Sequence, residues 1–117
     1  MHYLEENNST KAKELLEKSP FDLSGGQKRR VALAGVMAMK PEILILDEPA
    51  AGLNDSETAE LTETIRRIRD EFGVTILLVE HDMGLVMNVC DTVCAISFGQ
   101  MLGIGTTEEI QKNKAVQ

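Results

Sequence analysis

Two short stretches of this 117-residue chain hold residue types able to do chemistry on phosphate. The first is Leu23-Ser24-Gly25-Gly26-Gln27-Lys28-Arg29-Arg30, placed directly before the run VALAGVMAMK. Glycines let backbone N–H groups approach an anion closely, and the N-terminus of a following helix adds the positive end of its dipole. Ser24 to Gln27 can equally be an ordinary Ser N-cap with two flexible glycines. The second stretch is EILILDEP, an aliphatic run that terminates in Asp47 and Glu48. Asp47 can cap the following turn, or it can hold Mg²⁺, which takes one or two carboxylates and keeps several of its waters. Glu48 can be a solvated loop charge, or it can polarise the water that attacks a γ-phosphate. His81, just after VTILLVE, can be structural or can donate to a phosphate oxygen. No stretch reads GxxxxGK followed by Ser or Thr, so the common loop that holds a triphosphate is not among these residues.

Chemistry at these positions depends on the elements that carry them. EILILD reads as a strand buried on both faces, as in a parallel sheet. The spacing predicts a helix over 27–40, with Val31, Ala34 and Ala38 on one stripe and Pro41 marking its end. After the loop AAGLND, residues 55–71 carry Leu61, Ile65, Ile68 and then Phe72 at helical spacing. Asp55 or Ser56 can cap that helix, and Gly73 can supply its C-terminal turn. VTILLVE is a second apolar strand, so strand, helix and strand form a crossover unit of a parallel sheet. Ligands of such sheets bind beyond the carboxyl ends of the strands, where Asp47, Glu48 and His81 are expected to share a crevice. Short helices are expected over 11–18 and 83–90, and a strand near 92–98. A turn at Gly99-Gln100 leads to a strand over 101–104, and a final helix follows from the capping-box spacing of Thr106 and Glu109. The fold class is α/β with a parallel sheet core.

Composition narrows the function. With 43% hydrophobic residues the chain suits one small domain, and a formal net charge of -7 argues against nucleic acid as its main partner. No apolar run approaches the ~20 residues of a membrane-spanning helix. The polar first residues carry no secretory signal, so the expected address is the cytoplasm. Cys90 and Cys94, four apart, form neither a CxxC pair nor a zinc set and read as small buried residues. The six Met residues read as core filling, and Lys28-Arg29-Arg30 as a solvated helix start.

In combination and in this order, the motifs resemble those of the nucleotide-binding subunits of ATP-binding cassette (ABC) transporters, from about residue 20 onward. LSGGQ is similar to the family's signature motif, ILILDEP to its Walker B segment, AGLND to its D-loop, and His81 in LVEHDM to its switch histidine. The resemblance implies a partial P-loop NTPase (ABC ATPase) fold lacking the Walker A strand and loop, with residues 1–117 forming the C-terminal part of the domain. It implies two domains meeting head to tail around ATP, so that Ser24, Gly25, Gly26 and Gln27 contact nucleotide held by the partner. Asp47 would then position Mg²⁺, Glu48 the attacking water and His81 the γ-phosphate in cis, while residues 51–55, with Asn54 where many relatives have Asp, would link the two sites. The implied partners are a second ABC ATPase subunit and a transmembrane permease, which would hold the chain on the inner face of the cell membrane. ILLVEHDMGLVMNVCD resembles branched-chain amino acid importers, whereas SPFDLSGGQKRRVALAGVMAMKPE resembles energy-coupling-factor ATPases of vitamin and metal uptake. Without its own phosphate loop the chain is expected to lack ATPase activity alone, and its alternative role is to lend only the signature turn. The apolar strand Val74–Val79 is expected to be left as a sheet edge prone to self-association. Soluble ABC proteins of DNA repair or translation would show coiled-coil insertions or a tandem cassette, and neither is read here.

Overall fold

The computed structural model describes residues 23–117, which divide into two compact units after Val79. The helix expected over 11–18 lies outside the described residues.

In the first unit, helix α1 spans Gly25–Met37 and starts from a complete capping box. Its buried side is Gly26, Leu33, Ala34 and Met37. Val31 is only half-buried and Ala38 is exposed, so the expected stripe is correct at Ala34 alone. The reason lies in the helix end. Met39 and Lys40 donate to the carbonyls of Val36 and Met37 at 3.0 Å, a tightened last turn, and Lys40 adopts a left-handed φ of 52°. The chain therefore leaves the helix before Pro41 and carries Ala38 and Met39 into solvent.

Strand β1 (Ile43–Asp47) and strand β2 (Thr75–Val79) pair in parallel, from Ile43 opposite Thr75 to Asp47 opposite Val79. Helix α2 (Asp55–Phe72) forms the crossover between them and packs against α1. Leu61, Ile65 and Ile68 are buried, as their spacing predicts, and each contributes roughly 1.5–3 kcal/mol by leaving water. Thr64 shares that buried side because its hydroxyl donates to the Glu60 carbonyl at 2.9 Å. On the solvent face Arg67 pairs with Glu71, and Arg69, hydrogen-bonded to Asp70, holds that carboxyl below its usual range. Gly73 ends the helix at φ 62°, as expected.

The expectation that β1 is buried on both faces is corrected. Leu44 and Leu46 are buried, but Ile43 and Ile45 are each 64% exposed. Their ladder partners repeat the pattern, with Leu77 at 57% and Val79 at 50% exposure. One face of this two-stranded sheet is covered and the other is open, because among the described residues no element of this unit lies over it.

In the second unit, Asp82 caps helix α3 (Met83–Val89), accepting from the Leu85 N–H at 3.0 Å. Strands β3 (Val93–Ser97) and β4 (Gln100–Gly105) form an antiparallel hairpin. Its turn is Phe98-Gly99, one residue earlier than expected, with φ of 48° and 76° as a two-residue primed turn requires. The register shift between Ala95 and Ile96 places Leu102 as an extra residue in β4. Helix α4 (Thr107–Lys112) starts at Thr106, which accepts from the Glu109 N–H. It lies close on β4, since a Cβ at Gly103 or Gly105 would meet Asn113 or Glu109. Cys90 is half-buried after α3 and Cys94 is exposed on β3, so the expectation of two buried cysteines fails. Core filling by Met holds for Met37 but not for Met39, Met83 or Met101, which are exposed.

Candidate functional site

Ser24 is in extended conformation, and its hydroxyl oxygen accepts from the Gln27 N–H at 3.1 Å. Gln27 returns the contact, its side-chain carbonyl accepting from the Ser24 N–H at 3.0 Å. The plain N-cap reading is therefore correct, and it does not exhaust these groups. A hydroxyl that accepts one bond still has its own hydrogen to donate, and the Gln27 carboxamide still has its NH₂. Ser24 is exposed and Gln27 half-buried at the start of the helix.

Gly26 is buried, and its N–H already has an anion: the Glu57 carboxylate, at 2.7 Å. A Cβ on Gly26 would lie 3.2 Å from the Glu57 Cβ, and one on Gly25 would lie 3.1 Å from a Leu53 methyl. The two glycines thus allow the first turn of α1 to sit against the start of α2. Glu57 is held in turn by Asn54, whose NH₂ donates to its other oxygen at 2.7 Å. Asn54, not Asp55 or Ser56, caps α2, its side-chain oxygen accepting from the Glu57 N–H at 2.8 Å. An Asp at position 54 would lack that NH₂ and would face Glu57 with a like charge.

Arg29 makes the second connection. One guanidinium nitrogen donates to the Pro49 carbonyl and another to the Ala51 carbonyl, both at 2.7 Å. Arg30 pairs with Glu60 at 2.9 Å. Of the basic run read as a solvated helix start, only Lys28 behaves that way; Arg29 and Arg30 fasten α1 to the 49–51 loop and to α2.

Asp47 is the last residue of β1, exposed, at the carboxyl end of the ladder. Glu48 follows in the left-handed region, φ 46°, which turns the chain sharply out of the sheet. Its N–H donates to the Val79 carbonyl at 2.8 Å, and its carbonyl accepts from the Ala51 N–H at 3.0 Å. Both carboxylates are solvent-facing, and among the described residues no cluster of three or more His, Cys, Asp or Glu could enclose a metal. One exposed strand-end carboxylate suits Mg²⁺, which keeps most of its water, and does not suit a dehydrated all-protein site. His81 belongs to the second unit and is exposed; its N–H donates to the Glu80 carboxylate at 3.0 Å.

The first unit therefore brings Ser24, Gly25, Gly26, Gln27 and Asn54 together, and ties the loop after Asp47-Glu48 to the same helix. Glu57 and Arg29 were missed as members of this set. Asn54 and Glu57 have the spacing of a capping box, a signal present in the sequence. Arg29 offered none, because its partners are main-chain carbonyls 20 and 22 residues away.

A family model described as ABC transporter matches residues 2–51. The energy-coupling factor transporter ATP-binding protein EcfA2 of Lacticaseibacillus paracasei is 52% identical over 97 residues, 83% of this chain and 34% of the relative. The high-affinity branched-chain amino acid transport ATP-binding protein BraF of Pseudomonas aeruginosa is 47% identical over 115 residues, 98% of this chain and 44% of the relative. Among solved structures, cbiO1 from Clostridium perfringens, part of the ABC transporter complex cbiONQ, superposes with a TM-score of 0.72 at 40% identity, covering 82% of this chain and 38% of its own. A nucleotide-free ATP-binding cassette from an ABC transporter gives 0.78 at 26% identity, covering 88% of this chain and 41% of that one. The chain thus spans less than half the length of each of these relatives.

Proposed function

Because the chain belongs to the ATP-binding subunits of ABC transporters and has their α/β fold, we propose that residues 1–117 are the C-terminal part of a cassette whose signature turn caps ATP held by a second subunit. The observation that carries this reading is the docking of Ser24–Gln27 against Asn54 and Glu57, with Arg29 bound to the loop that leaves Asp47-Glu48. It makes the capping turn and the strand-end acids parts of one body. Ser24 and Gln27 present their remaining donors to the partner's nucleotide, beside Gly25 and Gly26. On nucleotide bound in cis, Asp47 would position Mg²⁺, Glu48 would orient the attacking water, and His81 would donate to a phosphate oxygen. Bound ATP with Mg²⁺ supplies a transferable γ-phosphoryl group. The 51–55 loop, through Asn54, links the two halves of the dimer.

The partners are a second ABC ATPase subunit and a transmembrane permease, which places the chain peripherally on the inner face of the cell membrane. No helix among the described residues is long and apolar enough to cross a membrane. The work driven is import of a small solute, with branched-chain amino acids suggested by the relative matched over 98% of this chain. The energy-coupling factor relative favours vitamin or metal uptake as the alternative cargo. A second reading is that the chain supplies only its signature turn to the partner's site and hydrolyses nothing itself.

Phosphate release and sedimentation velocity test both readings, using the purified chain alone and mixed with a full-length EcfA2-type subunit. The chain alone is expected to release no phosphate, and MgATP to drive association with the partner. Ser24→Ala should weaken that association about tenfold, the usual consequence of losing a hydrogen bond to a charged group. Robust turnover by the monodisperse chain alone excludes the second reading, and absence of ATP-dependent association overturns capping in trans.

A further inference from the structure

The signature turn has a prior occupant. The Gly26 amide is buried and carries one hydrogen, which the Glu57 carboxylate takes at 2.7 Å. A carboxylate oxygen and a phosphate oxygen compete for that hydrogen, and the carboxylate that holds it also repels an approaching triphosphate. Glu57 is aimed there by its second oxygen on Asn54 and by the close approach that Gly25 and Gly26 permit.

We propose that Glu57 is an internal plug on the signature turn: its carboxylate holds the Gly26 amide until a partner's nucleotide displaces it. The proposal rests on the capping role of the turn. Displacement frees Glu57 from Gly26 but leaves it beside Asn54, its own N-cap, so that filling the turn with phosphate is felt at the start of α2 and in the 51–55 loop. Glu57 is then a positioning residue that sets both the threshold for capping and the route by which the loop senses it.

Amide NMR on the chain, with inorganic triphosphate as the probe, tests this without any partner. Glu57→Gln keeps the shape but loses the charge; Glu57→Ala removes the plug; Glu63→Gln removes a charge from the exposed face of α2 away from the turn. In the nucleotide-free chain, both Glu57 variants should shift the Gly26 amide resonance while the remaining spectrum keeps its dispersion. Triphosphate should then bind at Gly26 at least about tenfold more tightly than in the unsubstituted chain, as expected on removing a charge-assisted competitor. Equal affinity in all chains overturns the plug, as does a Gly26 resonance indifferent to Glu57. A gain in Glu63→Gln as large as in Glu57→Gln also overturns it, since general charge would then be the cause. Failure of ATP-dependent association with a full-length subunit counts against the capping reading, whereas the triphosphate comparison decides the plug.

Discussion

Glu48 sits in a backbone conformation that L-residues avoid, φ 46°, at a cost of roughly 1–2 kcal/mol. The strain is held from both sides, since its N–H is bound to Val79 and its carbonyl to the Ala51 N–H. Strain of this kind concentrates at functional positions, where a side chain must be aimed and the surrounding structure over-determines the backbone. Replacing Glu48 by Gly should therefore raise stability by about 1 kcal/mol in urea unfolding, whereas Glu48→Gln should leave it unchanged. A Glu48→Gly chain less stable than its parent would show that the left-handed turn is not strained.

Helix α1 offers a comparison within a single element. Gly35 is exposed in its interior with no atom within 4 Å of a built Cβ, whereas Gly26 has the Glu57 Cβ at 3.2 Å. The same substitution should thus have opposite signs. Gly35→Ala should stabilise by about 0.5–1 kcal/mol through reduced chain entropy. Gly26→Ala should cost about 1–2 kcal/mol, because the Glu57 Cβ is fixed to the backbone of α2 and cannot rotate away. Thermal melting of the two variants decides the point, and a matching rise in both would mean the helices are not in close contact at Gly26. The helices themselves were legible from local signals: Ser24 and Thr106 as caps, Leu61-Ile65-Ile68 as a stripe, and Gly73 as a stop. The end of α1 was not, because Pro41 marks where a helix cannot continue and not where the last turn tightens.

For the molecule as a whole, the open face of the β1–β2 sheet is the main liability. Ile43, Ile45, Leu77 and Val79 form a contiguous apolar surface, and among the described residues β2 has no second strand beside it. The isolated chain should self-associate as its concentration rises. Ile45→Thr with Leu77→Thr, which keeps strand-forming residues but reduces the apolar surface, should shift sedimentation toward monomer. An unsubstituted chain that stays monomeric at every accessible concentration would contradict this.

Periodicity, caps and motif order are local properties, and they sufficed for the α/β class, for the parallel pairing of EILILD with VTILLV and for the family. Burial of one strand face or two is not local. An aliphatic run reads the same whether one or two layers cover it, so the exposure of Ile43 and Ile45 emerged only with the sheet. The same holds for the basic run, because a guanidinium reaching carbonyls in a distant loop leaves no trace in spacing. Nor does a Ser-Gly-Gly turn show what fills it. That the Gly26 amide is already bound to Glu57 depends on two helix starts meeting, and that contact exists only in the folded chain.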